Sequence, residues 1–216
     1  MSDPVFGAIA LAAATVGSLH SLAPDHWVPF AAVARARGWS VARTARVTVL
    51  CGLGHVTVSV VLGLVGLWLG LGVLTAFGQR MESVAGLLLI GFGLLYGAWG
   101  LRSAAGRHVH GHPHDHYDHV HDPSRVTAWS LFLLFSADPC VAVIPLLLAA
   151  APLGTAKVTG VVLVYELATI VAMVLLVLPA RAGARVLRAR WLDRYGDAAA
   201  GAMIAGVGVL VTGLGW

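Results

Sequence analysis

The chain has 216 residues, 58% of them hydrophobic and 11% charged, with a formal net charge of +4. A soluble domain carries about 25% charged residues, so this composition cannot cover a water-facing surface. It excludes a soluble enzyme, a nucleic-acid-binding domain and a disordered carrier, and the basic balance bears on membrane orientation rather than on DNA.

Nearly charge-free windows of about 20 residues read as membrane spans. In chain order the predicted helices cover 4–23, 46–72, 82–102, 126–150, 157–180 and 197–216. The predicted fold class is an all-α polytopic membrane protein with six transmembrane helices. The start, MSDPVFG, lacks the basic segment of a cleavable leader, so the first apolar run is expected to be a span.

The connection after helix 1 holds Arg35, Arg37, Arg43 and Arg46. The one after helix 3 holds Arg102, Arg107 and Arg125, and the one after helix 5 holds Arg181, Arg185, Arg188, Arg190 and Arg194. Arg80 and Lys157 stand alone in the other two. This asymmetry places odd-numbered connections in the cytoplasm and both termini outside, as expected for a multi-pass protein of the cytoplasmic (inner) membrane. No Walker sequence is present, so the chain is not expected to hydrolyse ATP, nor to be an enzyme.

The two halves resemble each other weakly. Residues 21–29, SLAPDHWVP, and 136–145, SADPCVAVIP, both set an Asp beside a proline, with a second proline a few residues on. The next helix of each half carries one buried polar group, His55 or Glu166. The expected organisation is therefore a 3+3 inverted repeat with helices 1 and 4 broken: a first membrane half over 1–106, a loop over 107–125 and a second half over 126–216. Gly66 with Gly70, Gly93 with Gly97, and Gly201 with Ala205 are small-residue pairs that let helix backbones approach closely.

Ionisable side chains within spans are costly, about 2.5–3.5 kcal/mol each at a helix centre on insertion scales, so the few present are informative. They are His20, Asp25, His26, His55, Asp138 and Glu166. On an intact helix, six positions of separation would set His26 about 120° around from His20. Pro24 disfavours helix at Ala23, and Pro29 interrupts again. An unwound stretch around 21–25 would let both imidazoles and the Asp25 carboxylate converge in a protein-lined cavity. Imidazoles with one carboxylate suit Ni²⁺, Co²⁺, Cu²⁺ or Zn²⁺ and serve Mg²⁺ or Ca²⁺ poorly. His55 lies deep in helix 2 with Ser59 one turn along the same face. Asp138, Cys140 and Glu166 are candidates for a second-half pathway or proton relay, and the two acids could equally pair a buried His.

The loop RHVHGHPHDHYDHVHD holds His108, His110, His112, His114, His116, His119 and His121. Near-alternating His gives many weak, exchanging metal sites rather than one cage. Its expected role is cytoplasmic metal capture.

His20-x₄-Asp25-His26, with Leu53-Gly54-His55 in the next span, resembles the nickel/cobalt transporter family. The close match covers about 40 residues, and the six-span layout matches more loosely. The resemblance implies a secondary permease for Ni²⁺ or Co²⁺, with Zn²⁺ compatible, in which His20, Asp25, His26 and His55 select the metal. The histidine-rich loop looks like the efflux branch, and the six-span layout also looks like nickel permeases that accompany urease or hydrogenase. Import and export therefore both stay open. The ion is substrate and no resident cofactor is expected. The lipid bilayer is the obligate surrounding, while a cytoplasmic metallochaperone and a second copy of the chain are compatible partners.

Two rival functions belong to other classes. Ala137-Asp-Pro-Cys140 resembles the Pro-Cys segments of six-span proteins that move electrons by thiol–disulfide exchange, but the place equivalent in the first half holds no cysteine. A metal-capture subunit of an ATP-driven uptake complex often binds nickel through an N-terminal Met-His, and this chain begins Met1-Ser2-Asp3.

Overall fold

In the first helix, α1 (Pro4–His20), an Ala-rich run with two leucines supplies good helix formers with few polar interruptions. The chain unwinds over Ser21–Ala23 and resumes as α2 (Pro24–Ala36), bent by 52° from α1. Ala23 takes φ −57°, ψ 132°, the extended conformation favoured before proline. Pro24 then sits at the start of α2, where the missing N–H has no helical partner to lose. This structure, a computed structural model, describes residues 4–69, 71–106, 123–137, 140–186 and 190–214.

Residues 24–36 differ from expectation. They were expected as the start of a connection, yet they are helical, the helix runs through Pro29, and nine residues between Asp25 and Ala34 are buried. An apolar PFAAVA stretch behind an N-terminal proline both propagates helix and demands burial.

The remaining helices are α3 (Val41–Leu69), α4 (Leu71–Gly106), α5 (Pro123–Ser136), α6 (Ile144–Ala150), α7 (Thr155–Val186) and α8 (Arg190–Leu214). Single 3₁₀ turns, Val141–Val143 and Ala151–Leu153, flank α6. Segments of α3, α4, α7 and α8 are long and apolar enough to cross a membrane, and the bent α1–α2 pair makes a fifth candidate. The predicted span 126–150 is instead 14-residue α5 and seven-residue α6, separated at a break after Ser136. At 1.5 Å per residue neither helix alone reaches across a hydrocarbon core about 30 Å thick.

The outer surface identifies the solvent. In α7 the buried positions are Val161, Tyr165, Thr169, Met173, Val177 and Arg181, one narrow seam of every fourth residue. Leu163, Leu167, Val171 and Leu175 face outward and are exposed. An amphipathic helix in water would set polar groups there; these leucines are at home only in lipid. The protein is a multi-pass membrane protein.

Helix α4 runs along α8, α1 and α3 lie against α7, α3 also meets α5, and α2 rests on α7 and α8. The α4–α8 seam depends on missing side chains: a Cβ on Gly93 would meet the backbone of Gly201 and Ala205, and one on Gly201 would meet Gly93 and Gly97. Two of the small-residue pairs thus close on each other as expected. The third pair falls on Gly70, outside the described residues, and on Gly66, whose side-chain surroundings are likewise undescribed.

At one end of the bundle Arg37, at the C-terminus of α2, ties four helices. Its Nε donates to Tyr96 Oη at 3.0 Å and lies 3.4 Å from Asp197 Oδ1. Its Nη2 donates to Thr127 Oγ1 at 3.3 Å, and the guanidinium stacks 4.3 Å over the Trp99 ring.

Candidate metal centre

The break after α1 creates the centre. It turns the chain so that the ring centroids of His20 and His26 lie 4.2 Å apart, where an intact helix would have set the two side chains on different faces. The third imidazole comes from α3: His55 lies 6.0 Å from His20 and 5.2 Å from His26, centroid to centroid. Asp25 Oδ1 reaches within 3.1 Å of His26 Nδ1. His26 and His55 are each 1% exposed and Asp25 is 7% exposed, while His20 is half-buried, so the group is largely buried in protein with His20 at its edge. The structure thus gathers the four sequence-predicted residues into one cluster.

Two glycines beside His55 explain how it reaches the middle. A Cβ on Gly52 would press into Ile170 of α7, and one on Gly54 would strike Phe132 and Ser136 of α5. Both neighbouring helices therefore close directly on the His55 turn. Phe135 covers the cluster, its ring 4.6 Å from His55, 5.2 Å from His26 and 5.1 Å from Phe30.

The His55 tautomer follows from its surroundings. Nδ1 lies 3.1 Å from the Phe135 carbonyl oxygen, which can only accept. Nδ1 therefore carries the proton in neutral His55, and Nε2 carries the lone pair that a metal needs. His20 Nε2 is buried with no hydrogen-bond partner among the described residues, a costly state for a neutral polar atom in a low-dielectric interior.

The second break adds a donor, Cys140, whose place in an apolar stretch reads by default as a buried, inert thiol and otherwise as a pathway or redox residue. One ligand atom each from His20, His55 and Cys140 all lie within 4.8 Å of one another, so this group could hold a metal ion. Ser59 fixes the Cys140 backbone: its Oγ accepts from Cys140 N at 2.7 Å and donates to the His55 carbonyl at 2.7 Å. The Cys140 sulfur lies 2.7 Å from Tyr165 Oη. Ser59 was legible on the His55 face from its spacing; Tyr165 and the Phe135 carbonyl carried no sequence signal. Glu166 is half-buried one position off the inward seam of α7, and the structure does not bring it into the group. Asp138 and the loop histidines 108–121 lie outside the described residues.

Each break is fastened by a long helix of the other half. Ser59 and His55 of α3 bond to Cys140 N and the Phe135 carbonyl at the end of α5. In turn, Ser21 Oγ shares its proton between the Gly17 carbonyl at 2.8 Å and the Thr169 carbonyl of α7 at 3.2 Å, where Gly17 lets α1 close on Tyr165 and Thr169.

Both cysteines are buried thiols, and they belong to different packing clusters: Cys51 with Phe30, Phe135 and Met173, Cys140 with Val143, Leu147 and Tyr165. The chain matches no protein-family model, no curated protein and no solved structure. The structure assembles His20, Asp25, His26 and His55 at one place in a membrane bundle.

Proposed function

We propose that the chain is a secondary transporter of a divalent transition-metal ion, Ni²⁺ or Co²⁺, across the cytoplasmic membrane. One observation carries this reading: three imidazoles and a carboxylate converge at a broken helix, largely buried within a bundle whose outer face suits lipid. Intramembrane ionisable groups are expensive to place, and irregular backbone at membrane depth is tolerated where it lines a protein-enclosed path. The chemistry of the donors selects transition metals over Mg²⁺ and Ca²⁺.

Six spans in two inverted halves, with α1–α2 and α5–α6 as the broken ones, supply alternating access in this reading. The crosswise fastening of the breaks supports that symmetry, since α3 serves the second break as α7 serves the first. The basic connections set both termini outside. Asp138 and Glu166 carry the ion or protons through the second half, and the loop histidines exchange the ion with cytoplasmic ligands. The separate packing of Cys51 and Cys140 supports metal transport over thiol–disulfide electron transfer.

The test is ⁶³Ni²⁺ or Co²⁺ flux in proteoliposomes at defined pH, with the metal on either side in turn. Wild type is expected to conduct, and His26→Ala to lose at least about 10-fold, the order expected when a ligand or its supporting contact is removed. Flux unaffected by His26→Ala would overturn the assignment. Deletion of 107–122 is expected to leave flux unchanged at saturating metal.

A further inference from the structure

We infer that Cys140 is a ligand of the transport site, so that the ion is held by two imidazole nitrogens and one sulfur, from His20, His55 and Cys140. The inference rests on the metal-transport reading and narrows its cargo to transition-metal ions that accept a thiolate.

The geometry is close to what an ion demands. Three atoms within 4.8 Å of one another share a point at most about 2.8 Å from each. Bond lengths of about 2.0 Å to nitrogen and 2.3 Å to sulfur then require each donor to move inward by less than about 1 Å. Side-chain torsions supply that without displacing a helix.

The three donors are also distinguished from the rest of the cluster. His26 has Asp25 against its Nδ1 at 3.1 Å and Phe135 edge-on at 5.2 Å, which suits a residue that supports the cluster or fills a fourth position. His55 Nδ1 is held by the Phe135 carbonyl, turning its other nitrogen into the ligand. The Cys140 backbone is pinned by Ser59, and the Tyr165 hydroxyl meets its sulfur. A metal-bound thiolate only accepts hydrogen bonds, so Tyr165 is then the donor and acts as a positioning residue. The same three donors join α1, α3 and the second break, so the ion itself bridges the two halves. Soft sulfur with borderline imidazole suits Ni²⁺, Co²⁺ and Zn²⁺ and disfavours Mg²⁺, Ca²⁺ and Mn²⁺ as cargo.

Co²⁺ titrated into the full chain in detergent tests this by near-ultraviolet absorption. The loop histidines and aspartates offer only nitrogen and oxygen, and the chain has two cysteines, so a thiolate-to-cobalt charge-transfer band reports Cys51 or Cys140 alone. The expected result is such a band in wild type, retained in Cys51→Ser and lost in Cys140→Ser. A band retained in Cys51→Ser assigns the sulfur to Cys140 even where Cys140→Ser does not fold. Co²⁺ binding without the band, with flux still sensitive to His26→Ala, overturns the cysteine ligand and leaves metal transport standing. No Co²⁺ binding and no flux overturns both.

Discussion

Ser59→Ala isolates the contact that holds the second break against the centre. The serine hydroxyl is buried and bridges two backbones, accepting from Cys140 N and donating to the His55 carbonyl, both at 2.7 Å. Alanine removes the acceptor and leaves the Cys140 N–H buried without it, at a cost of about 1–3 kcal/mol. The His55 carbonyl loses only an accessory donor, a smaller loss. If the break relaxes to find another acceptor, the Cys140 sulfur moves with it, and the same 1–3 kcal/mol corresponds to about a 5- to 150-fold weaker metal site. Isothermal titration of Co²⁺ into the purified protein reads the affinity, and thermal unfolding reads the stability. Thr159→Ala is the matched control: it also removes a hydroxyl bonded four residues back, to the Thr155 carbonyl, but at an exposed position with no second partner among the described residues. The expected outcome is about 10-fold weaker Co²⁺ binding in Ser59→Ala and none of that change in Thr159→Ala. Affinity within twofold of wild type in Ser59→Ala refutes the role given to this clasp.

Two further predictions concern the frame around the centre. Gly201→Ala sets a methyl against the backbone of Gly93 and Gly97, whereas Gly91→Ala meets nothing within 4 Å; the first is expected to destabilise by about 1–3 kcal/mol and the second to be neutral in a thermal-unfolding comparison. Equal melting of the two variants would show that α4 and α8 do not close on this seam. Arg37→Ala removes the partner shared by Tyr96, Thr127 and Asp197 and the cation over Trp99; a loss of about 1–3 kcal/mol is expected, with Arg37→Lys recovering only part because an ammonium cannot bond as a planar fork. Full recovery by lysine would show that charge alone holds the four helices.

The membrane character was legible because composition integrates over the whole chain: no arrangement of 24 charged residues covers a bundle of this size in water. The first break was legible because proline acts locally, through its own ring and missing N–H, so Ala23-Pro24 announces it without knowledge of any neighbour. The continuation of helix through Pro29 was not, since what overrides the proline is the burial of Phe30 to Ala34 against other helices. Convergence of His20, Asp25 and His26 needed only the break, and His55 stands out as the one charged or imidazole side chain deep in its span. Cys140 as a neighbour of His20 is a different kind of fact. It depends on how α5 ends against α3, a contact between residues 81 apart in Cys140 and Ser59, and nothing in the local sequence encodes it. The sequence nonetheless holds a trace: Ser21-x-x-Pro24-Asp25 and Ser136-x-x-Pro139-Cys140 have one spacing, which sets the thiol at the repeat position of the carboxylate.

The way the breaks satisfy their backbone decides which ligand variants can be interpreted. Across the first break, Ser21 N bonds to the Gly17 carbonyl, Leu22 N to Leu19 and Ala23 N to His20, at 3.0–3.2 Å, and Pro24 has no N–H to satisfy. None of these bonds uses an imidazole, so replacing the side chain of His20 or His26 leaves the unwound backbone paired. His55 differs, because its Nδ1 serves the Phe135 carbonyl near the end of α5, where a helix in lipid lacks water to cap it. His20→Ala, at a half-buried position, is therefore expected to keep the wild-type melting temperature within about the small range of a surface change; His26→Ala opens a cavity beside Phe135 and strips Asp25 of its imidazole, and His55→Ala loses about 1–3 kcal/mol in addition to metal binding. His55→Asn, whose amide can still donate, separates the two effects: recovery of stability without recovery of Co²⁺ affinity is expected. Equal destabilisation by all three alanine variants would mean that the imidazoles hold the fold rather than the ion.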